Sequence, residues 1–591
     1  MATVMSALLF TASGSRAAER ARLRVEVHGI SGNLKERAEA LSFSGDLKKN
    51  VLSILSIEKA RKEKDLTEAR IRSLHEKAEE EIRTALQPFG YYKPVIQASL
   101  TVEKGVFVAE YRVDRGPPLP VAEVVVDVAG EGADDPGFSR LAARFPLEKG
   151  DTLDHRLYEA GKKAFEDYAA STGYLDGTYR ESKVEVDLDD YSARVVLHYD
   201  TGPRYLFGPV RFHQDILEPA LLQRYVPWTQ GEQLGVHRIL RLQDALSGSH
   251  YFSRVEVEPK QEEAVGREVP IDVNLTAGPK RRWVLGIGYG TDTGPRGSVL
   301  LQAHRLNRKG HHGEAELKAS VVEKSLAVKY IIPGKRPLTD SLGITFGFAD
   351  FRPSTSKSDT FLTGVSFARE LGHLRRVLSL TYQREAFTVG VDKGTTSLLI
   401  PEASATHLVR DDPTYARRGH RVRLLVRGAV ESVLSSAGFL QADLEGKLVR
   451  PLGERSRFIA RAELGYLATG AFRSLPPRIR FFAGGDQSVR GYRFQRLGRL
   501  DEEGNVIGGE TLRVASVELE RMFSEWLGGL GGAVFVDVGN ASRSFSDPIR
   551  KSVGAGIRWK SPIGFARVDA AFPQGENGFP VVLHVSIGPD L

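Results

Sequence analysis

The stretch GGDQSVRGYRFQRLG, Gly484 to Gly498, concentrates side chains able to do chemistry. Arg490, Arg493 and Arg496 stand among aromatics there. Glycines at 484, 485, 491 and 498 let the backbone bend sharply and approach other chain closely. A guanidinium fork suits bidentate pairing with a carboxylate or phosphate rather than proton transfer. Asp486 and Ser488 have no histidine near them in sequence, so neither acid–base nor nucleophilic catalysis is indicated. Elsewhere there is no G-x-S-x-G, no G-x-x-x-x-G-K-[ST], no H-E-x-x-H and no G-x-G-x-x-G. His304, His311 and His312 in HRLNRKGHH have the proximity of metal ligands but read better as a polar turn. GIGYGTDTG, Gly286 to Gly294, has the glycines of a phosphate loop without a following helix, and reads as a strand and turn. No catalytic residue, metal site or cofactor is expected.

An arginine loop of this kind needs elements to hold it. At 591 residues the chain accommodates several domains, or one large architecture with appendages. Its 82 basic and 75 acidic residues interleave to a net charge of +7 without a basic stripe, which argues against a nucleic-acid partner. The absence of cysteine excludes thiol catalysis, disulfides and Cys-type zinc sites, and suits a bacterial envelope protein. After residue 15 no uncharged run approaches the length of a membrane-spanning helix, which leaves a β-barrel open. Residues 1–21 combine an apolar stretch with small residues, as in a secretory signal lacking its basic start; the alternative is an ordinary disordered terminus.

The first 280 residues mix charged helices with short strands. Residues 58–86 have the periodicity of one long amphipathic helix, with Ile71, Leu74, Ala78, Ile82, Ala85 and Leu86 inward. A repeat runs through this half. Each copy ends a helix at a glycine–aromatic corner (FGYYKP, STGYLDG, SGSHYFSRV) and closes on Gly-Pro, at Gly116-Pro117, Gly202-Pro203 and Gly278-Pro279. Three β-α-α-β-β modules follow, 22–116, 117–202 and 203–279. Tyr91, Tyr92, Tyr174, Tyr251 and Phe252 are expected to pack the corners of their own modules, and exposed strand edges would receive other chains by β-augmentation.

From about Arg281 the pattern becomes runs of 9 to 13 residues alternating apolar and polar. Val422, Leu424 and Val426 oppose Arg421, Arg423 and Arg427; Val553, Ala555, Ile557 and Trp559 oppose Gly554, Gly556 and Arg558. A greasy face at this length suits a strand tilted through a bilayer, although a soluble sandwich shares the alternation. Sixteen strands begin near 281, 296, 312, 325, 341, 359, 376, 394, 419, 437, 456, 510, 529, 551, 563 and 579. An even count favours a closed antiparallel transmembrane barrel over 280–591. One long connection, 470–509, contains the arginine loop.

GGDQSVRGY with its following LG, then SVELE, AVFVDVGN, VGAGIRWKSPIG and the terminal LHVSIGPDL, together resemble the BamA/TamA superfamily of outer-membrane assembly proteins. The Gly-Pro-closed modules resemble its periplasmic POTRA domains. Three modules, the segment DDPTYARRGHRV at 411–422 and the ending GPDL bring the chain closest to the TamA branch. The resemblance implies that the loop Gly484, Gly485, Asp486, Val489, Arg490, Gly491 and Tyr492 folds into the lumen. Its Arg490 would dock on Glu518 and Asp537 of the inner wall, with Arg493 and Arg496 as supporting charges. Strand parity agrees, since Glu518 shares a face with Ser516 and Glu520, and Asp537 opposes Val534, Val536 and Val538.

The resemblance further implies a non-enzymatic factor in the outer membrane. It would insert unfolded β-barrel clients such as autotransporters into the lipid bilayer, with its modules in the periplasm and a TamB-like partner on the first of them. The template would be a seam between the first and last strands, marked by Leu285, Ile287, Leu583, Val585 and Gly588, where residues near 286 and 584 face each other. A passive pore or secretion channel is the competing reading.

Overall fold

The computed structural model describes residues 21–30, 47–524, 529–561, 564–575 and 580–587. The signal-like residues 1–20 and the seam residue Gly588 lie outside the described residues. Two compact units are present: residues 1–209 with 228–239 and 259–271, and residues 210–227 with 240–258 and 272–591.

The repeat appears as three three-stranded sheets with one topology. In the first, Val106–Asp114 lies centrally, parallel to Arg22–His28 on one side and antiparallel to Val95–Glu103 on the other. In the second, Ser192–Asp200 is central between Val121–Ala129 and Thr178–Asp187 in the same senses. The third has the order Leu206–His213, Glu268–Ala277, Phe252–Pro259. Helices between the first and second strand of each copy cover the sheet's apolar face; Phe138, Phe165, Tyr174 and Tyr199 join one core in the second copy.

The helix expected over 58–86 is broken. Ser56–Ala60 is a short helix, and the long one runs Glu68–Leu86 with the six expected residues buried. Thr67 causes the restart: its extended backbone and its hydroxyl, accepting from the Arg70 N–H, cap a new helix, while Leu66 turns into the core. The corner aromatics also do more than pack at home. The Tyr92 hydroxyl meets His155 Nε2 of the next copy at 2.8 Å, and the Tyr251 hydroxyl donates to the Gly310 carbonyl at 2.6 Å.

Sixteen strands close into an antiparallel barrel, each paired with its neighbour in sequence. Every strand starts within three residues of its expected position. Strand one is Arg281–Gly290, strand eleven Ser456–Ala468, strand twelve Thr511–Ser524, strand thirteen Leu530–Ser542, strand fourteen Arg550–Ser561, strand fifteen Gly564–Pro573 and strand sixteen Val582–Ile587. Val517, Leu519, Val534 and Val536 are exposed on the outer face, while Ser516, Glu518, Glu520 and Asp537 are buried inside. The connection between strands eleven and twelve packs on the inner wall: Ile479, Phe481, Val489, Tyr492 and Leu497 share a cluster with Leu398, Phe439, Leu467 and Leu512. Its sequence makes that descent feasible, because apolar residues on irregular backbone need a wall to bury against.

Candidate functional site: the lumen loop and the barrel seam

Arg490 reaches the inner wall, and its whole polar surface is used there. Nε and Nη2 donate to the two oxygens of Asp537, both at 2.9 Å, and the Arg490 backbone N–H adds a third bond to Asp537 at 3.0 Å. Nη1 donates to Glu518 at 2.6 Å and to Asp569 at 3.2 Å, and Nη2 also meets Ser516 Oγ at 3.2 Å. The guanidinium lies 3.3 Å from the centroid of the Phe535 ring. Neighbouring strands supply these partners because residues two apart share a face, so Ser516, Glu518 and Glu520 of strand twelve line up beside Phe535 and Asp537 of strand thirteen.

A second arginine, Arg558 of strand fourteen, completes the site. It donates to Glu518 at 2.5 Å, Glu520 at 2.7 Å and Asp569 at 2.6 Å with its side chain wholly buried. Arg457 of strand eleven binds Glu520 at 2.5 Å, and Arg461 donates to the loop carbonyls of Asp486 and Ser488. Charges in a desolvated lumen persist only when paired, and each carboxylate here has a partner. Of this set, sequence reasoning singled out Arg490, Glu518 and Asp537 and assigned no role to Asp569, Glu520 or Arg558. Parity had already put Arg558 on the inward face; what was missing is cross-strand register, which aligns it with the acids. The expected support from Arg493 and Arg496 is absent, since among the described residues neither makes a side-chain ion pair. Both side chains are exposed, whereas Arg490 is buried.

The loop backbone fits closely. Gly484 and Gly485 have φ of +98° and +106°, and the Asp486 N–H donates to Asp292 Oδ2 at 2.7 Å. At Gly491 a methyl group would meet Ser552 Cβ at 2.5 Å and the Pro573 backbone at 3.0 Å, while the Gly491 N–H donates to Ser552 Oγ. Val489 and Tyr492 are buried on either side.

The seam differs from its expected form. Strand one pairs with strand two (Gly294–Ala303) along its whole length, but among the described residues it pairs with strand sixteen at one register position, Gly290 opposite Ser586. Beside it, the Thr291 N–H donates to the Val585 carbonyl at 3.1 Å, and the Val585 N–H donates to the Thr291 hydroxyl at 2.6 Å. Leu285 and Ile287, 74% and 95% exposed, face no described residue of strand sixteen, and Leu583 is exposed outward. Residues 286 and 584 are therefore not opposed. His584 instead faces Asp292, at 3.5 Å, and donates through Nε2 to the Arg490 carbonyl at 2.7 Å. The register is displaced by six residues from the expected one, because strand sixteen meets strand one near its far end. Loop, last strand and first turn thus converge on His584.

The Omp85 superfamily domain matches residues 314–588, and the POTRA domain "TamA domain 1" matches residues 43–115. Residues 314–588, the greater part of the barrel, thus form an Omp85 superfamily domain. It is similar to the outer membrane protein assembly factor BamA of Nitratidesulfovibrio vulgaris, 23% identical over 377 residues, 59% of this chain and 46% of that protein. The chain thus spans about half the length of that curated relative. Its fold is similar to the crystal structure of BamA from Haemophilus ducreyi lacking POTRA domains 1–3, with a TM-score of 0.69 at 16% identity over 80% of this chain and 99% of that one. The chain is an outer-membrane β-barrel with N-terminal POTRA domains in the periplasm.

Proposed function

We propose that this chain inserts and folds β-barrel client proteins, autotransporters among them, into the outer membrane, and that it does so without enzymatic chemistry. The observation that carries this reading is the seam. Along Arg281–Tyr289 the backbone groups on one side of strand one have no described strand partner, while apolar side chains such as Ile287 project outward. Lipid cannot satisfy backbone groups that no strand pairs, and among the described residues strand sixteen meets strand one only at Gly290, which favours a client strand as the complement. The lumen loop, latched by Arg490 and touching His584, would hold strand sixteen while strand one is offered. The loop packed on the inner wall weighs against a passive pore.

The first POTRA module suits a docking role, and a TamB-like periplasmic partner is its proposed ligand. Its edge strand Val95–Glu103 exposes Val95 (61%) and Val102 (57%). The edge of the second module carries Glu181, Lys183 and Glu185, charges that discourage pairing. Purified full-length chain in vesicles tests the proposal, with insertion of a urea-unfolded barrel client and ion conductance followed in parallel. Accelerated client insertion with little steady conductance is expected. Steady conductance without accelerated insertion establishes the channel reading instead.

A further inference from the structure

The outer wall carries a groove across strands six (Ser356–Leu371), seven (Leu374–Val389), eight (Asp392–Arg410) and nine (Gly419–Ala429). Its volume is about 450 Å³. Ala403 and Ala405 of strand eight form its floor, between Phe367 and Leu378 on one side and Leu424 and Val426 on the other. Small residues flanked by large ones leave a furrow instead of a flat apolar wall. Leu378 is 60% exposed, so this face looks towards lipid.

Two arginines stand at the rim. Arg369 of strand six and Arg376 of strand seven are directly opposite in register. Like charges so placed repel and need a counter-charge. Asp340 of strand five (Asp340–Phe351) supplies one for Arg369, clasping it with two contacts of 2.9 Å. Arg376, opposite Ala405 and exposed, makes no hydrogen bond or ion pair among the described residues. One positive charge is therefore left over at the mouth of an apolar furrow. The turn at Gly372 and His373 joins strands six and seven at the barrel end where strand one begins, the periplasmic end. Arg376 is two residues into strand seven from that end, at the depth of the periplasmic-leaflet headgroups. His407, two residues beyond Ala405 on the same face, stacks on His420 with a 2.9 Å N–N hydrogen bond.

We propose that this groove binds one anionic phospholipid of the periplasmic leaflet, with its negatively charged headgroup on Arg376 and an acyl chain over Ala403 and Ala405. The charge left over by the Arg369–Asp340 pair selects an anionic lipid over a zwitterionic one, and the alanine floor accepts the chain. The site is independent of the seam and of the assembly role.

Full-length chain, delipidated in mild detergent and offered equal phosphatidylglycerol and phosphatidylcholine with the same acyl chains, tests this by native mass spectrometry. Wild type should retain one phosphatidylglycerol with about fivefold preference, the factor one cation near anionic headgroups supplies. Arg376→Gln should bring the preference to near one, Arg376→Lys should keep most of it, and Ala405→Phe should lower retention with the arginine intact. Each variant is checked for a folded barrel by its heat-modifiable gel mobility. If Arg376→Gln fails that check, the Lys and Phe variants decide the matter. Equal retention of both lipids by wild type, or an unchanged preference in Arg376→Gln or in Ala405→Phe, overturns the proposal.

Discussion

Replacing Arg490 by glutamine removes the fork that joins the loop to three carboxylates, and the structure says which acid suffers. Glu518 and Asp569 keep Arg558, at 2.5 Å and 2.6 Å. Asp537 keeps the Ser516 hydroxyl at 2.6 Å and Arg461 at 3.8 Å, in a fully buried position. Leaving a buried charge without its partner costs about 3–5 kcal/mol. At about 1.4 kcal/mol per decade, the released-loop population should rise by about two to three and a half powers of ten. Hydrogen exchange of the full-length chain in micelles reads this at the amides of Asp486, Arg490 and Gly491, which the docked loop holds on Asp292, Asp537 and Ser552. Arg490→Gln with Asp537→Asn should recover much of the protection, because the stranded charge is gone. Arg490→Gln with Glu518→Gln should recover little. Unchanged protection in the single variant, or equal rescue by both second changes, would refute the reasoning.

Gly491→Ala should release the loop even with Arg490 present, because the new methyl group meets Ser552 and the Pro573 backbone; proteinase K cleavage within 484–498 of the folded barrel should increase. Arg558→Gln strips a partner from Glu518, Glu520 and Asp569 at once and should lower the barrel's heat-modifiability midpoint more than Arg490→Gln does. In the periplasmic modules, burial pushes the His155 imidazole below its ordinary pKa, so the fold holds it neutral against Tyr92. Its contribution is complete above the unfolded-state value of about 6.5 and is lost as pH falls below it. Exchange at residues 89–93 and 153–158, corrected for intrinsic rates, should rise from pH 7.5 to pH 5.5 in wild type and less in His155→Asn.

The barrel was legible because alternation is a local property. Val517 and Glu518, or Val536 and Asp537, must take opposite faces wherever the strands lie, and turn residues mark the ends. The three modules were legible for a similar reason, since each repeats the same corner and closure. Apolar spacing does not reveal the break before Glu68, which depends on Thr67 acting as a cap. At the site, Arg490 and two of its acids followed from the family resemblance and parity. Asp569 and Arg558 did not, because which inward residues meet depends on strand register over long sequence separations. The seam shows the same effect: strands one and sixteen were identified, but nothing local encodes that Gly290, not Gly286, lies nearest the last strand.

The proposed function requires a seam that releases strand one to a client, and one crosslink tests it. Gly290→Cys with Ser586→Cys joins the register pair of strands one and sixteen in the full-length chain. Oxidised protein in vesicles should fail to accelerate insertion of an unfolded β-barrel client, and reduction should restore the wild-type rate. Undiminished insertion with the disulfide fully formed would contradict the account.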